Sequence, residues 1–390
     1  MQDVAQCYLG VRKLWLTGRL SSDPTVYRGS PSTVETDPGI SIWSEVFEAR
    51  QGTENTNVGN QQGSSSSSST SAVADDARAI RKTRAPHCKI ALLLPGSNES
   101  CMFWPDEFID RLVALSYCVV RIDNRGFGRS SWCRDFERQP FGIQDMARDA
   151  ISVLRQRLPG FPENTEELLI CGHSMGGMIA QAVGGQLSTS ATFPSNVRIR
   201  LALLATTPYP ATVVENSNDE AAIDARYFKD KEVRDLRTQL EQLGKEADRY
   251  WGGGAAFKEM QVVQGKLLRL FHGSGYPFSE AEFAERLDRA IRRGGVNTRC
   301  PHLLAMRQHE KGLLMQAFEK ASASSVVAAA IVFHGDGDRV IDIQGAHDCA
   351  TKYSTTKKVE LHVLAAAGHR FGPVDWKMIA EKLEAFVNVA

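Results

Sequence analysis

The feature that most constrains the fold is a regular alternation of short apolar runs and helical patterns from residue 89 onward. Apolar runs of strand length that alternate with helices predict an α/β protein with a mostly parallel, doubly wound sheet, because helical crossovers then cover both sheet faces. The apolar runs predict strands over residues 89–94, 118–122, 168–171, 197–204, 327–334 and 359–364. The helical patterns predict helices over residues 105–114, 143–158, 178–187, 344–353 and 374–387.

Two segments interrupt this alternation. Residues 208–322 carry helical patterns such as 222–243 and 279–293, with no convincing strand between them, and are predicted to form a helical cap inserted into the domain. A second interruption is predicted over residues 49–85, whose central part 51–76 is rich in Gln, Asn, Gly and Ser and has almost no apolar side chains to bury. Such a segment cannot offset the entropy lost on ordering, so it is predicted to be a disordered, low-complexity insertion.

The N-terminal part adds one strand and an extension. Residues 40–47 are β-rich and alternate imperfectly, which predicts an antiparallel strand at a sheet edge. Residues 1–33 are interpreted as an N-terminal extension, and residues 34–390 as one domain that contains both insertions. The basic residues of the extension leave organelle import open as an alternative to a cytoplasmic location.

Charge and apolar run length exclude several classes of partner. Lys plus Arg equal Asp plus Glu, at 46 each, so the chain has no excess of positive charge for a nucleic acid. The longest apolar runs are far shorter than the ~20 residues that span a membrane. A small-molecule partner is therefore expected, and the sequence does not determine the oligomeric state.

The cysteines point to a reducing compartment. The chain has 8 cysteines without a C-x-x-C pair, which argues against a zinc site and against a disulfide framework. Cys118 and Cys171 lie inside apolar runs and are expected to be buried thiols. No metal and no organic cofactor is predicted.

A G-x-S-x-G motif follows one of the predicted buried strands. The segment 172–177 reads Gly-His-Ser-Met-Gly-Gly, and a small-residue helix is predicted directly after it. Between a strand and a helix this spacing places the serine on a sharp turn, and Gly172 and Gly176 let neighbouring backbone pass close to it. Ser174 is thus the candidate nucleophile. The glycine-rich stretches 252–254 and 273–275 lack this context and are interpreted as flexible loops.

A serine hydroxyl needs an adjacent base, and the base needs a third group to orient it. His369 follows the last predicted strand, and Asp336 and Asp338 follow the strand before it. The carboxyl ends of strands are where open α/β sheets bind ligands. His173, beside the serine, is expected to pack or to form a hydrogen bond rather than to act as the base.

Stabilisation of an anionic intermediate requires two backbone N–H groups near the nucleophile. The residue after the nucleophile, Met175, supplies the first candidate donor. The second is expected from Ser97 in the loop Pro95-Gly96-Ser97, where the glycine allows the backbone to turn.

Several segments together resemble the α/β-hydrolase superfamily, and they are 94–97, 104–108, 123–130, 172–177 and 367–369. Within it, Trp-Pro-Asp-Glu-Phe at 104–108, Asp-Asn-Arg at 123–125 and segment 273–278 look most like the aclacinomycin methylesterase group. The resemblance implies an eight-stranded sheet, a helical cap, and a Ser-Asp-His triad that hydrolyses a carboxylic ester through an acyl-enzyme. The family's loop spacing after His334-Gly335 favours Asp338 over Asp336 as the acid, and leaves Asp336 and Asp342 as turn or cap residues.

The sequence leaves the identity of the substrate undetermined. Pro95 stands where many relatives have histidine, and the Ser-rich insertion and the N-terminal extension are foreign to the family pattern. Four aromatic residues of the predicted cap are candidates for an apolar substrate pocket, namely Trp251, Phe257, Tyr276 and Phe278. An iminopeptidase, thioesterase, lipase or acyltransferase of the same fold is an alternative, as is a non-catalytic ligand-binding protein.

Overall fold

The protein is described by a computed structural model over residues 28–48, 89–132, 136–208, 226–246, 255–282, 302, 305–306, 327–354 and 358–388. Its strands are β1 Ser30–Asp37, β2 Ile40–Phe47, β3 Lys89–Leu94, β4 Cys118–Ile122, β5 Glu167–His173, β6 Arg198–Leu204, β7 Val327–Gly335 and β8 Lys358–Leu364. They form one sheet in the order β1-β2-β4-β3-β5-β6-β7-β8. The pairs from β4 to β8 are all parallel, and β2 pairs antiparallel with both β1 and β4.

Helices cover both faces of this sheet, as the alternation predicts. They are α1 Asp106–Ala114, α2 Ile143–Arg157, α3 Met175–Thr189, α4 Lys231–Glu246, α5 Ala255–Leu270, α6 Gln344–Lys352 and α7 Pro373–Asn388. Apolar side chains of α2, α3 and α6 pack on one face, and those of α1 and α7 pack on the other. The strand β3 contributes to both cores, because Ile90, Leu92 and Leu94 face α2 and α3 while Ala91 and Leu93 face α1 and α7.

The position of β2 in the sheet corrects one expectation. The strand was predicted at a sheet edge, but β1 pairs with it along its whole length and is itself the edge strand. Residues 30–33 therefore belong to the sheet and not to the N-terminal extension. Periodicity does not predict this strand, because Val34 is the one buried apolar residue of β1 and no alternating pattern results.

A smaller difference concerns the start of α1. Pro105 was expected in the first turn, but it precedes the helix as the N-cap residue, with φ −61° and ψ 146°. Its extended ψ turns the chain into the helix, which begins at Asp106.

The described part of residues 208–322 contains two packed helices. α4 and α5 share an apolar cluster of their own, formed by Val233, Leu236, Leu240, Leu243, Val263 and Leu267. The loop after α5 touches the main domain at an isolated parallel bridge between His272 and Arg370. The insertion 49–85, Trp251 and the glycines 252–254 lie outside the described residues.

The interpretation of residues 273–275 as a flexible loop is wrong, because backbone contacts hold this segment in place. Gly275 N–H donates to the Ala366 carbonyl at 2.9 Å, and a Cβ on Gly273 would overlap that same carbonyl oxygen. The glycines therefore allow two backbone segments to pack closely.

The described residues show neither a membrane-spanning helix nor a cluster of metal ligands. None of the helices described is both long and apolar enough to cross a bilayer. Nor do three or more His, Cys, Asp or Glu side chains in those ranges converge as metal ligands would.

Candidate active site

Ser174 lies at the turn between β5 and α3 in a strained backbone conformation, with φ 54° and ψ −122°. Positive φ is unfavourable for a residue with a Cβ and persists only where surrounding contacts hold it. Here the Ser174 N–H donates to the Leu204 carbonyl at 2.8 Å. Its own carbonyl accepts from Gly177 N–H at 2.9 Å and from the Thr206 hydroxyl at 2.7 Å. These three bonds fix the serine at the carboxyl end of the sheet.

The two glycines that flank the turn are required by close backbone contacts. A Cβ on Gly172 would overlap the carbonyl oxygen of Gly176. A Cβ on Gly176 would overlap the carbonyl oxygen of Leu94, at the end of β3. The turn can therefore form only if both positions lack a side chain.

His369 joins the candidate nucleophile to a carboxylate. Its Nε2 lies 3.0 Å from Ser174 Oγ, and its Nδ1 lies 2.8 Å from Asp338 Oδ2. A neutral imidazole that donates from Nδ1 to the carboxylate has its Nε2 lone pair free to accept the serine proton. The three side chains thus form a continuous hydrogen-bonded chain.

Asp338 is held as a carboxylate although its side chain is fully buried. Burial opposes its ionisation, but the charge and hydrogen bond of His369 outweigh it and hold the pKa of Asp338 below its usual value. The other carboxylate oxygen, Oδ1, accepts from the N–H groups of Val340 at 2.7 Å and Ile341 at 2.9 Å. His334 Nε2 lies 3.4 Å from Oδ2.

Asp336, the competing acid, has a different environment. Its Oδ1 accepts from the Ala366 N–H at 2.6 Å, which stabilises the turn after β8. Asp342 accepts from the Gln344 N–H at 2.9 Å at the start of α6. Among these three aspartates the structure places Asp338 against His369.

Burial also tunes His369, which is 3% exposed. Removal from water disfavours the charged imidazolium and lowers the pKa of His369 below its ordinary value, although Asp338 acts in the opposite direction. The imidazole is therefore neutral near pH 7 and able to accept a proton.

The loop after β3 brings Ser97 to the site. Its course is set by Asn124, whose Nδ2 donates to the Pro95 carbonyl at 3.1 Å, and by Gly96, where a Cβ would lie 3.3 Å from Ser174 Cβ. Among the described residues, neither Ser97 N–H nor Met175 N–H donates to a protein acceptor. Neither amide is therefore committed to an acceptor within the described part of the chain.

His302, which no local sequence pattern singles out, supports this loop. Its Nδ1 accepts from the Asn98 N–H at 2.9 Å, and its Nε2 donates to the Arg125 carbonyl at 2.6 Å. Burial lowers the pKa of His302 to about 4, so the ring is neutral, as this donor and acceptor pattern requires. No sequence signal could have revealed it, because Asn98 and His302 are 204 residues apart.

A second polar group, formed by Glu99, Arg370 and His173, lies beside His369. No local sequence pattern indicates it either. Glu99 forms an ion pair with Arg370 and lies 3.3 Å from Nδ1 of His173. Nε2 of His173 lies 2.9 Å from the His369 carbonyl oxygen, so this residue of the elbow does form a hydrogen bond within the site.

The candidate pocket residues are only partly brought together. Tyr276 lines a cavity of about 500 Å³ with Phe103, Trp376 and Arg370, but Ser174 does not line it. Since Arg370 directly follows His369, this cavity lies beside the candidate site rather than over the serine. Phe278 packs against His272, at 5.3 Å between ring centroids. The Phe257 side chain, like Trp251, lies outside the description.

Comparison with known proteins identifies the family. The model of the alpha/beta hydrolase family matches residues 91–381, which is most of the chain, and this protein therefore belongs to that family. Rhodomycin D methylesterase DnrP from Streptomyces peucetius is 29% identical over 197 residues, which are 50% of this chain and 59% of the relative. Rhodomycin D methylesterase DauP from Streptomyces sp. (strain C5) is 48% identical over 63 residues, which are 16% of this chain and 21% of the relative. The matched regions thus span less than two thirds of these curated relatives.

A solved structure supports the same fold. The esterase RhEst1 from Rhodococcus sp. ECU1013 superposes with a TM-score of 0.57 and 16% identity, over 92% of this chain and 99% of that one. At this identity the likeness concerns the fold.

Proposed function

We propose that the protein is a serine hydrolase that cleaves carboxylic esters through an acyl-enzyme intermediate. The observation that carries the proposal is the hydrogen-bonded chain from Ser174 Oγ through His369 to Asp338, with links of 3.0 Å and 2.8 Å. Each link lies within the distance at which a base can accept the nucleophile's proton.

In the first half-reaction, Ser174 Oγ attacks the ester carbonyl carbon while its proton passes to His369 Nε2. Asp338 holds the imidazole by its Nδ1–H and stabilises the positive charge that forms. The carbonyl oxygen becomes an oxyanion, for which the N–H groups of Ser97 and Met175 are the proposed donors. His369 then returns the proton to the leaving alkoxide, so an alcohol departs and the acyl group stays on Ser174.

In the second half-reaction, water replaces the alcohol. His369 removes a proton from the water, whose oxygen attacks the acyl carbon, and then protonates Ser174 Oγ as the ester bond to the enzyme breaks. The products are a carboxylic acid and the restored serine. Every step uses groups of this chain and water.

The proposed class of substrate is based on what the relatives' names say they hydrolyse. DnrP and DauP are named as methylesterases, which supports an ester of a small alcohol as the starting hypothesis. We propose that residues 208–322 form a cap that selects the acid part of the ester. Tyr276 and Arg370, at the cavity beside His369, are then the first described side chains to test for contact with it.

The decisive experiment is covalent labelling with a serine-directed fluorophosphonate, followed by hydrolysis of p-nitrophenyl esters of increasing acyl length. We expect stoichiometric labelling of the wild type and none of Ser174→Ala, with both proteins shown to be folded by circular dichroism. Equal labelling of the two proteins would overturn the assignment of the nucleophile. A folded wild type that is not labelled at all would instead favour a non-catalytic binding protein.

A second assay separates the alternatives within the fold. Methyl esters, thioesters and N-terminal prolyl amides of comparable acids are compared by kcat/KM. We expect the methyl esters to be the best substrates. A preference for thioesters or prolyl amides by more than about 10-fold would replace the esterase proposal with a thioesterase or iminopeptidase.

A further inference from the structure

The loop that carries the Ser97 N–H has weak hydrogen bonding of its own. Among the described residues, its internal backbone bond is the long one from the Glu99 N–H to the Gly96 carbonyl, at 3.4 Å. Asn98, in the middle of the loop, has φ 55°, a region that is unfavourable for a residue with a Cβ. Such a conformation persists only where surrounding groups hold it. The position of the proposed oxyanion donor therefore depends on anchors outside the loop.

Two anchors hold the loop, one before and one after the proposed donor. On the earlier side, the Pro95 carbonyl accepts from Asn124 Nδ2 at 3.1 Å. On the later side, the Asn98 N–H donates to Nδ1 of His302 at 2.9 Å. Nε2 of the same ring lies 2.6 Å from the Arg125 carbonyl oxygen. Both anchors thus end on neighbouring residues of the loop after β4, one directly and the other through the imidazole.

The residue to which the His302 ring is bonded is itself firmly held. Nε and Nη2 of Arg125 lie 2.5 Å and 2.6 Å from the carboxylate oxygens of Asp149 on α2. Nη2 also lies 2.7 Å from the carboxylate of Asp37, at the end of β1. The loop after β4 is therefore tied to two other elements of the sheet and its helices, and it provides a fixed support for a side chain bonded to its backbone.

The His302 ring has no contact with solvent and is packed among aromatic side chains. The residue is 0% exposed. Its ring centroid lies 6.2 Å from that of Phe127 and 6.5 Å from that of Phe141. One partner offers an N–H and the other a carbonyl oxygen, so the neutral ring satisfies both with one acceptor and one donor nitrogen. The ring is thus a rigid bridge between two backbone segments.

Resting on the proposed function, we infer that His302 is a positioning residue for the oxyanion hole, supplied by the proposed cap. It acts through the peptide bond that follows Ser97. By fixing the Asn98 N–H, it sets the direction of the neighbouring Ser97 N–H, which must point at the substrate oxygen as negative charge forms there. A residue of segment 208–322 therefore acts on the chemical step itself.

The effect is specific to the transition state. The carbonyl oxygen of the bound ester carries little charge, whereas the oxygen of the tetrahedral intermediate carries a full negative charge. A misplaced donor therefore weakens binding of the intermediate far more than binding of the ester. Loss of the two His302 hydrogen bonds should lower kcat and leave KM nearly unchanged.

The decisive variants are His302→Phe and His302→Gln. Phenylalanine keeps the ring shape and loses both hydrogen bonds, whereas the glutamine amide still offers one acceptor and one donor. We expect kcat of His302→Phe to fall by about 10- to 100-fold with KM within about 3-fold, and kcat of His302→Gln to stay within about 5-fold of the wild type. An unchanged kcat in His302→Phe would overturn the inference. Equal losses in the two variants would overturn it too, because ring packing would then matter and not the hydrogen bonds.

Inhibition by a trifluoromethyl ketone reads the oxyanion hole separately. Ser174 Oγ adds to the ketone carbon, its proton passes to His369, and the ketone oxygen becomes a bound oxyanion. Its Ki should rise in His302→Phe by the same factor as kcat/KM falls, because both depend on the same donors. An unchanged Ki would contradict the inference.

Hydrogen exchange followed by mass spectrometry tests the loop without any activity. In peptides that cover residues 95–100, we expect exchange to be at least about 10-fold faster in His302→Phe than in the wild type, and unchanged in His302→Gln. Unchanged exchange in His302→Phe would show that the loop is held without His302. If Ser174 were not the nucleophile, fluorophosphonate labelling would fail while the exchange result still stood, so the two proposals fail separately.

Tyr227→Phe is the matched control. Tyr227 also belongs to segment 208–322 and is 0% exposed, but its hydroxyl donates at 2.9 Å to Asp348 Oδ2 on α6 rather than to the loop after β3. This variant loses a hydrogen bond between the proposed cap and the main domain while the ring stays in place. Its kcat, its Ki and its exchange over residues 95–100 should match the wild type. Losses as large as those in His302→Phe would mean that any loosening of the cap slows the reaction, and would overturn the specific role of His302.

Discussion

At the scale of single residues, the site combines side chains whose charge states are set by burial and by one or two neighbours. The side chain of Asp338 is fully buried, yet it stays ionised because His369 and two backbone N–H groups face it. His369 is buried and neutral because desolvation outweighs that carboxylate. A base and an anion are thus held ready for proton transfer at neutral pH.

This balance leads to a pH prediction. A general base must be neutral to act, so kcat/KM should fall as the pH drops through the pKa of His369, which lies below the ordinary value for histidine. In Asp338→Asn the attraction that favours the imidazolium is lost. Its acid limb should therefore lie at lower pH than that of the wild type, and its plateau kcat should be about 10⁴-fold lower. Rates measured from about pH 4 to about pH 9 provide the test.

Asp336→Asn is the natural control for this substitution. Asp336 lies two residues away and serves the turn at Ala366, so its loss should change kcat by less than about 10-fold and leave the acid limb in place. A larger loss of kcat in Asp336→Asn than in Asp338→Asn would reverse the assignment of the acid.

At the scale of elements, the junction of β5 and α3 depends on how closely backbones approach. In Gly172→Ala the new Cβ would overlap the Gly176 carbonyl, so we expect a loss of at least about 3 kcal/mol in unfolding free energy or no soluble protein. Gly184, in the same helix α3, would place its Cβ at 3.6 Å from Leu201, an ordinary contact. Gly184→Ala should therefore stabilise the fold by about 0.5–1 kcal/mol through helix propensity. Urea unfolding of both variants decides whether steric contact at the turn is the cause.

The antiparallel side of the sheet depends on a buried ion pair. Arg121 on β4 and Glu45 on β2 are both 0% exposed, with Nη2 and Oε2 2.7 Å apart. Glu45→Ala would leave the buried guanidinium with only the half-exposed carboxylate of Asp106, 4.0 Å from Nη1, so we expect a loss of about 3 kcal/mol in unfolding free energy.

An exposed pair provides the comparison for Glu45. Lys231 and Asp235 on α4 are 2.6 Å apart but 79% and 62% exposed. Asp235→Ala should not measurably change the urea midpoint, because water screens such pairs. Equal effects of the two substitutions would show that burial is not what makes the Glu45 pair important.

At the scale of the whole molecule, the sheet register sets the distance that the connection through residues 49–85 must span. Phe47 ends β2 beside Val119, and Ile90 near the start of β3 lies beside Cys118, so both ends lie at the start of β4. Two strand spacings separate them, or about 10 Å. At about 3.3 Å per residue, a short connection suffices.

Deletion of residues 51–76 tests whether the insertion contributes more than a connection. Residues 49–50 and 77–88 would remain, which is ample length for that span. We expect Tm to change by less than about 2 °C and kcat/KM to stay within about 2-fold of the full chain. A marked fall in Tm would mean that the segment packs on the domain, and a selective change of KM would mean that it reaches the substrate.

The parallel strands and their helices could be predicted from sequence because each buried strand is a continuous apolar run, as in Ile90 to Leu94. The predicted bounds of 89–94 and 118–122 match β3 and β4. β1 could not be predicted in this way, since an edge strand with one buried apolar side chain has little periodic signal. The folded sheet shows why it forms, since β1 pairs with β2 and places Val34 in the core.

By itself, the sequence determined the fold class and the identity of the residues at the turn after β5, because both follow from local patterns of apolar and glycine positions. Only the tertiary structure decided which aspartate faces His369, and that His302, Glu99 and Arg370 support the loops of the site. The physical reason is that hydrogen bonds and ion pairs act over about 3 Å in space without regard to separation along the chain. No local pattern reports a contact such as that between His369 and Ser174, which are 195 residues apart.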